Sequence, residues 1–238
     1  MPARPRLVLV HGSVRNGAAS WAAQAPLAER FELVVLNRPG FPPGPPVESL
    51  DFEEHGAWVA ERLEPGDHLA GHSYGGIVSL FAASYRPEAA RSLTVIEPPC
   101  FGVARGEPEM DGWIEELESY LRGPPREPRE FLAGFYALVS GTRPELPDPL
   151  PPDLEQGTRM LMIERLPTEA VIPFDPLGAP FPKLVVSGGH HPAFERTCDV
   201  LEERLGAERL ILRGSGHSPH AVPAFNEAFA DFLDWAGC

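Results

Sequence analysis

The chain has 238 residues with 43% hydrophobic and 9% aromatic content, enough to bury the core of one large domain or of one domain with an insertion. Its formal net charge of −14 excludes the basic face that nucleic acid or an anionic membrane surface would require. No stretch approaches the ~20 apolar residues of a membrane span. Leu7-Val8-Leu9-Val10 is too short for a signal-peptide core, so the expected location is cytoplasmic. Cys100, Cys198 and Cys238 cannot all pair, and their spacing matches no metal site.

In chain order, Arg6 to Val10 and Phe31 to Leu36 read as apolar strands, separated by a helical stretch from Ala18 to Glu29. Pro42 to Pro46 forms a rigid surface loop. A second helix runs from Asp51 to Leu63, with Asp51 and Glu54 as a capping pair. His68 to Ala70 is a short strand leading into a helix from Tyr74 to Tyr85, which Pro87 stops. Ser92 to Ile96, Lys183 to Ser187 and Arg209 to Leu212 complete the strands; Phe194 to Leu205 and Val222 to Trp235 complete the helices. Apolar runs without alternation belong to strands covered on both faces, and alternation with helices predicts a mostly parallel six-stranded sheet. Residues 101–182 break that rhythm. They carry helical patterns at Met110 to Leu121, Glu130 to Val139 and Asp153 to Leu166, heavily punctuated by proline, and no convincing strand. This divides the chain into a core (1–100 and 183–238) and a helical cap (101–182). Trp113, Phe135 and Met160 are the cap residues expected to bind substrate, alongside Ile114, Phe131, Tyr136 and Met162 as further candidates for the pocket wall.

The chemistry concentrates at strand ends. Gly71-His72-Ser73-Tyr74-Gly75-Gly76 stands between a strand and a helix, the G-x-S-x-G arrangement in which a sharp turn lifts a serine hydroxyl into a cleft. The same turn aims the Tyr74 N–H at the position of an oxyanion. Val10-His11-Gly12-Ser13 ends the first strand, and its Ser13 N–H is the second candidate oxyanion donor. Gly214-Ser215-Gly216-His217 follows the last strand. His217 is placed there to act as the base, since reactive groups in open α/β sheets gather beyond the carboxyl ends of strands. His220 competes from the same loop.

This order of motifs resembles the α/β-hydrolase superfamily over essentially the whole chain, in a six-strand version lacking the first two strands. The resemblance implies Ser73 as nucleophile, His217 as base, and Ser13 and Tyr74 as the oxyanion hole. The acid departs from the pattern: where the superfamily usually carries Asp, this chain reads Gly188-Gly189-His190-His191-Pro192, with His191 in the acid's place. Glu97, directly after the Leu93 to Ile96 strand, is the preferred acid, with His191, Asp199, Glu195 or an unassisted dyad as alternatives. The expected activity is hydrolysis of a small or medium acyl substrate (ester, lactone, thioester or C–C diketone) without metal or organic cofactor. A non-hydrolytic enzyme on the same scaffold and a silent ligand-binding module are the rival readings.

Overall fold

The computed structural model describes residues 4–237. Six strands, β1 (Arg6–Val10), β2 (Glu32–Leu36), β3 (Asp67–His72), β4 (Ala90–Ile96), β5 (Lys183–Ser187) and β6 (Glu208–Ile211), form one sheet in the order β2-β1-β3-β4-β5-β6. Every pairing is parallel. The helices are α1 (Gly17–Ser20), α2 (Phe52–Ala60), α3 (Tyr74–Tyr85), α4 (Pro108–Leu121), α5 (Pro128–Ser140), α6 (Pro152–Leu161), α7 (Phe174–Leu177), α8 (Pro192–Leu205) and α9 (Pro223–Gly237).

The two-residue period of a strand sorts its side chains onto opposite faces. Val8, Val10, Leu69, Leu93, Val95 and Val185 point to one side, where α2, α3 and α8 cover them with Val59, Ile77, Val78, Phe81 and Leu201. Leu7, Leu9, Ala70, Ile96, Leu184 and Val186 point to the other, under Leu27 and the Phe225, Phe229 and Leu233 stripe of α9. That double burial accounts for the unbroken apolar strands. Cys100 and Cys198 are buried free thiols, and burial pushes the Cys100 thiol up to about 12. Cys238 lies outside the described residues.

Two elements differ from their sequence patterns. The first helix is a single α turn, α1, followed by a 3-10 stretch at Ala22–Glu29, because Pro26 lacks the N–H that an α ladder needs. The pattern at Asp153 to Leu166 stops at Leu161, and Pro167 keeps its predecessor Leu166 extended, with ψ 128°. The freed segment instead pairs with the core through a parallel bridge between Leu50 and Glu164, and Arg165 N–H donates to the Leu50 carbonyl at 2.8 Å.

Residues 101–182 contribute α4 to α7 and no strand of the sheet. They dock on the core through several clusters. Ile114 and Leu117 of α4 join Phe101 and Phe194, while Phe131, Leu132 and Leu161 close over Val14 in the loop after β1. At Gly157 of α6 an added Cβ would stand 1.7 Å from the Val14 carbonyl oxygen, so only glycine permits this approach. No helix among the described residues is long and apolar enough to cross a membrane.

Register brings the strand ends to a common rim. Val10 pairs with Gly71, His72 with Ile96, and Ile96 with Val186. The residues that follow (His11-Gly12-Ser13, Ser73, Glu97 and Gly188) therefore emerge side by side.

Candidate active site

Ser73 joins β3 to α3 with φ 54° and ψ −128°, a conformation that costs a non-glycine residue roughly 1–3 kcal/mol. The surroundings hold it there. Ser73 N–H donates to the Ile96 carbonyl at 2.8 Å, and Gly76 N–H donates to the Ser73 carbonyl at 2.7 Å. The motif glycines are steric necessities. A Cβ on Gly71 would lie 2.2 Å from the Gly75 carbonyl oxygen, and one on Gly75 would lie 2.4 Å from that of His11.

The Ser73 hydroxyl points at His217, with Oγ 2.9 Å from Nε2. On the far side of the ring, His217 Nδ1 lies 3.3 Å from Glu97 Oε2. Glu97 follows β4 in a second positive-φ conformation (φ 50°), and its N–H donates to the Val186 carbonyl at 2.9 Å. Its carboxylate is fully buried, with Oε1 accepting from Gly188 N–H at 2.5 Å. Burial alone would push the Glu97 carboxyl up. The His190 and His217 imidazoles and the Gly188 N–H outweigh burial and bring it down to about 2.

The backbone of His217 is also fixed. His72, buried beneath it, donates from Nε2 to the His217 carbonyl at 2.7 Å. Burial and the neighbouring His220 and His217 rings hold the His72 imidazole well below its ordinary pKa, so it is a neutral strut. His220 packs 4.1 Å from the His72 ring and 4.9 Å from that of Trp21, whereas the ring within hydrogen-bond reach of Ser73 Oγ is that of His217. The other candidate acids are occupied elsewhere. His191 caps α8 by accepting from Ala193 N–H at 3.2 Å and packs on Trp113. Glu195 accepts from Ser187 Oγ, Gly189 N and Arg209, each at 2.9 Å, and Asp199 is half exposed beside Arg209.

Tyr74 opens α3, so its N–H is among the first-turn donors that have no acceptor within the helix. The loop after β1 lies directly against Ser73: a Cβ on Gly12 would come 2.9 Å from Ser73 Cβ. Ser13, next in the chain, donates its hydroxyl to Glu164 Oε2. Glu164 in turn pairs with Arg38, which sequence reasoning did not single out. The guanidinium of Arg38 is completely buried and donates to Gly12 O at 3.0 Å, His55 Nδ1 at 3.1 Å and Glu164 Oε1 at 2.9 Å. It also stacks 4.7 Å from the Tyr74 ring centre. The available signal was positional, since Arg38 stands just beyond the carboxyl end of β2, on the reactive rim.

Two hollows meet at Ser73 and His217. One, of about 570 Å³, runs under the insertion and is walled by Phe101, Leu117, Leu121, Phe135, Val139, Leu161, Met162 and Phe194. The other, of about 850 Å³, opens toward solvent past Arg15, Ser20, Tyr136, Ser218 and His220. Phe135 borders both. Trp113 and Met160 do not line either, which corrects the sequence expectation. Trp113 shares a stripe with Leu117 and Leu121 but sits one turn beyond the hollow, edge-on to Phe101 at 5.9 Å. Met160 is rotated about 100° around α6 from its neighbour Leu161 and packs with Phe41 and Leu50.

A model of the alpha/beta hydrolase family matches residues 7–232. A pimeloyl-[acyl-carrier protein] methyl ester esterase of Aeromonas salmonicida is 39% identical over 108 residues, spanning 43% of this chain and 41% of that protein. The chain thus spans less than half the length of that curated relative. Polyketide synthase ThaQ of Burkholderia thailandensis is 32% identical over 260 residues, covering 97% of this chain but 12% of its own length. Among solved structures, MenH from S. aureus superposes with a TM-score of 0.70 at 14% identity, covering 100% of this chain and 96% of that one, a likeness of fold. With the match extending over nearly all its residues, this chain belongs to the alpha/beta hydrolase family.

Proposed function

We propose that this protein is a serine hydrolase that cleaves an ester or thioester of a small or medium, largely apolar acyl group. The observation that carries this reading is the continuous contact Ser73 Oγ–His217 Nε2 (2.9 Å) and His217 Nδ1–Glu97 Oε2 (3.3 Å) at the junction of an apolar and a polar hollow. The reaction has two halves. His217 accepts the Ser73 proton as Oγ attacks the substrate carbonyl, and the Tyr74 and Ser13 N–H groups bind the oxyanion. The imidazolium formed on His217 is stabilised by the Glu97 carboxylate and protonates the departing alcohol or thiol. Water then enters and attacks the acyl carbon as His217 takes its proton, and His217 returns that proton to Ser73 Oγ as the acyl group leaves. The chemistry calls on no metal or organic cofactor.

The insertion acts as a cap that sets acyl selectivity. Its apolar wall of Leu117, Leu121, Phe135, Val139 and Met162 would hold the acyl chain, and the polar mouth would admit the leaving group. Similarity to an esterase named for an acyl-carrier-protein substrate and to a polyketide synthase favours carrier-linked acyl esters or thioesters over free ones. Fluorophosphonate labelling tests the mechanism: Ser73 is modified in the native chain and unmodified in His217→Ala. A native chain that is folded yet neither labelled nor able to turn over p-nitrophenyl esters would overturn it in favour of a ligand-binding role. A matched series of free and carrier-tethered acyl esters tests the substrate class.

A further inference from the structure

Glu97 meets a second imidazole besides His217. His190, in the loop after β5, directs Nε2 at the Val139 carbonyl of α5 at 3.3 Å. A carbonyl only accepts, so Nε2 carries the hydrogen and the Nδ1 of the neutral ring keeps its lone pair. That Nδ1 is buried without a hydrogen-bond partner and lies 3.5 Å from Glu97 Oε2. Ring nitrogen and carboxylate oxygen thus face each other out of water, a pairing that a positive centre between them, proton or metal ion, satisfies.

The third atom at this point is His217 Nδ1, 3.3 Å from the same carboxylate oxygen. The donor atoms of Glu97, His190 and His217 all lie within 4.8 Å of one another. Tetrahedral zinc, with bonds of about 2.0–2.1 Å, separates its ligands by roughly 3.3–3.4 Å. The two separations from Glu97 Oε2, 3.3 Å to His217 Nδ1 and 3.5 Å to His190 Nδ1, are close to that length, and the third pair lies within 4.8 Å. The outer contacts are those expected around a metal-ligating set: Val139 O orients His190, and Gly188 N–H holds Glu97 Oε1 while Oε2 faces the two imidazoles. Three protein ligands leave the fourth position of a tetrahedral ion to water or hydroxide.

The geometry points to a zinc site formed by Glu97 Oε2, His190 Nδ1 and His217 Nδ1, whose occupation switches the protein off. Zinc on His217 Nδ1 transfers the ring hydrogen to Nε2. That atom then donates where it previously accepted, and it cannot take the Ser73 proton. No redox change or co-reactant is involved. The site itself is independent of the proposed hydrolysis; only the inhibition rests on it.

The test uses the untagged full chain carrying Cys238→Ser, which removes the thiol lying outside the described residues. Zinc binding is followed by calorimetry, and cobalt(II) serves as an optical probe of coordination. We expect one ion per chain, intense tetrahedral cobalt bands, and affinity lowered about tenfold or more in His190→Ala. Ser73→Ala should bind zinc like the parent, because its hydroxyl is not a ligand. Absence of uptake, or equal uptake by a correctly folded His190→Ala chain, would overturn the site and leave a proton as the positive centre. Zinc bound with full dependence on His190 while fluorophosphonate still labels Ser73 would overturn the inhibitory role alone.

Discussion

Arg38 Nη2 and Glu164 Oε1 meet at 2.9 Å with side chains 0% and 3% exposed, one from the core and one from the insertion. Around this pair the Ser13 hydroxyl, the Gly12 carbonyl and the Tyr74 ring are all held, so the proposed oxyanion loop and the proposed cap share one electrostatic clamp. Burial pushes the Glu164 carboxyl up against the pull of Arg38, which marks the expense of placing this charge out of water.

Removing one partner should therefore be worse than removing both. Glu164→Leu is expected to lose about 3–5 kcal/mol by stranding the Arg38 guanidinium, and Arg38→Met a similar amount by stranding Glu164. The double substitution should recover much of the loss. Urea unfolding of the four chains measures this, and simple additivity would show that the pair is not coupled.

Glu97→Gln should retain the fold and lower kcat by about four orders of magnitude, as loss of a triad acid does elsewhere. Circular dichroism with single-turnover kinetics separates the two effects. An unchanged rate would remove Glu97 from the mechanism and leave a Ser73–His217 dyad.

Gly71→Ala should be severe for a substitution of one methyl group. Its Cβ would fall 2.2 Å from the Gly75 carbonyl and 2.3 Å from Ser79 Oγ, inside the elbow. Overpacking of this kind costs about 1–3 kcal/mol or more, and the elbow must shift to relieve it. Stability and Ser73 labelling should both fall; normal labelling would mean that the turn tolerates a side chain.

Acyl length is expected to be read by the cap. Leu117→Trp narrows the apolar hollow that Leu117 borders with Phe135 and Met162. The kcat/KM optimum over an acyl series should move to shorter chains, whereas Trp113→Ala should leave it in place because Trp113 lies outside the hollow. Equal responses from the two variants would refute the assignment of the wall.

Three buried histidines predict acid sensitivity. Burial, then the Arg38 charge, lowers His11 and His55 to about 3; burial, then the Arg91 charge, lowers His68 to about 4. Above an unfolded-state pKa near 6.5 neither state holds these protons, so they do not affect stability. As pH falls below that value the unfolded chain gains protons that the folded chain refuses. Each histidine then costs about 1.4 kcal/mol per pH unit until its folded pKa is reached. Urea midpoints should drop between pH 7 and pH 5, and less steeply in His68→Asn. A flat profile over that interval would contradict the neutral assignment.

The strand–helix alternation and the Gly71–Gly76 and Gly214–His217 motifs were legible in the chain because they depend on short-range order: side-chain period, turn sterics and glycine at tight backbone approaches. Sequence also singled out Glu97, since a carboxylate directly after a strand must emerge at the rim where the other strand ends gather. Its contact with His217 is a matter of register between β3, β4 and β5, which no local pattern encodes. Which side chains of residues 101–182 face the hollow was equally out of reach. Trp113 and Leu117 share one helical stripe, and only docking decides which turn lies over Ser73. Arg38, Glu164 and His190 look in sequence like ordinary surface or loop residues. They become structural because tertiary packing removes them from water and sets each against a charged side chain far away in the chain.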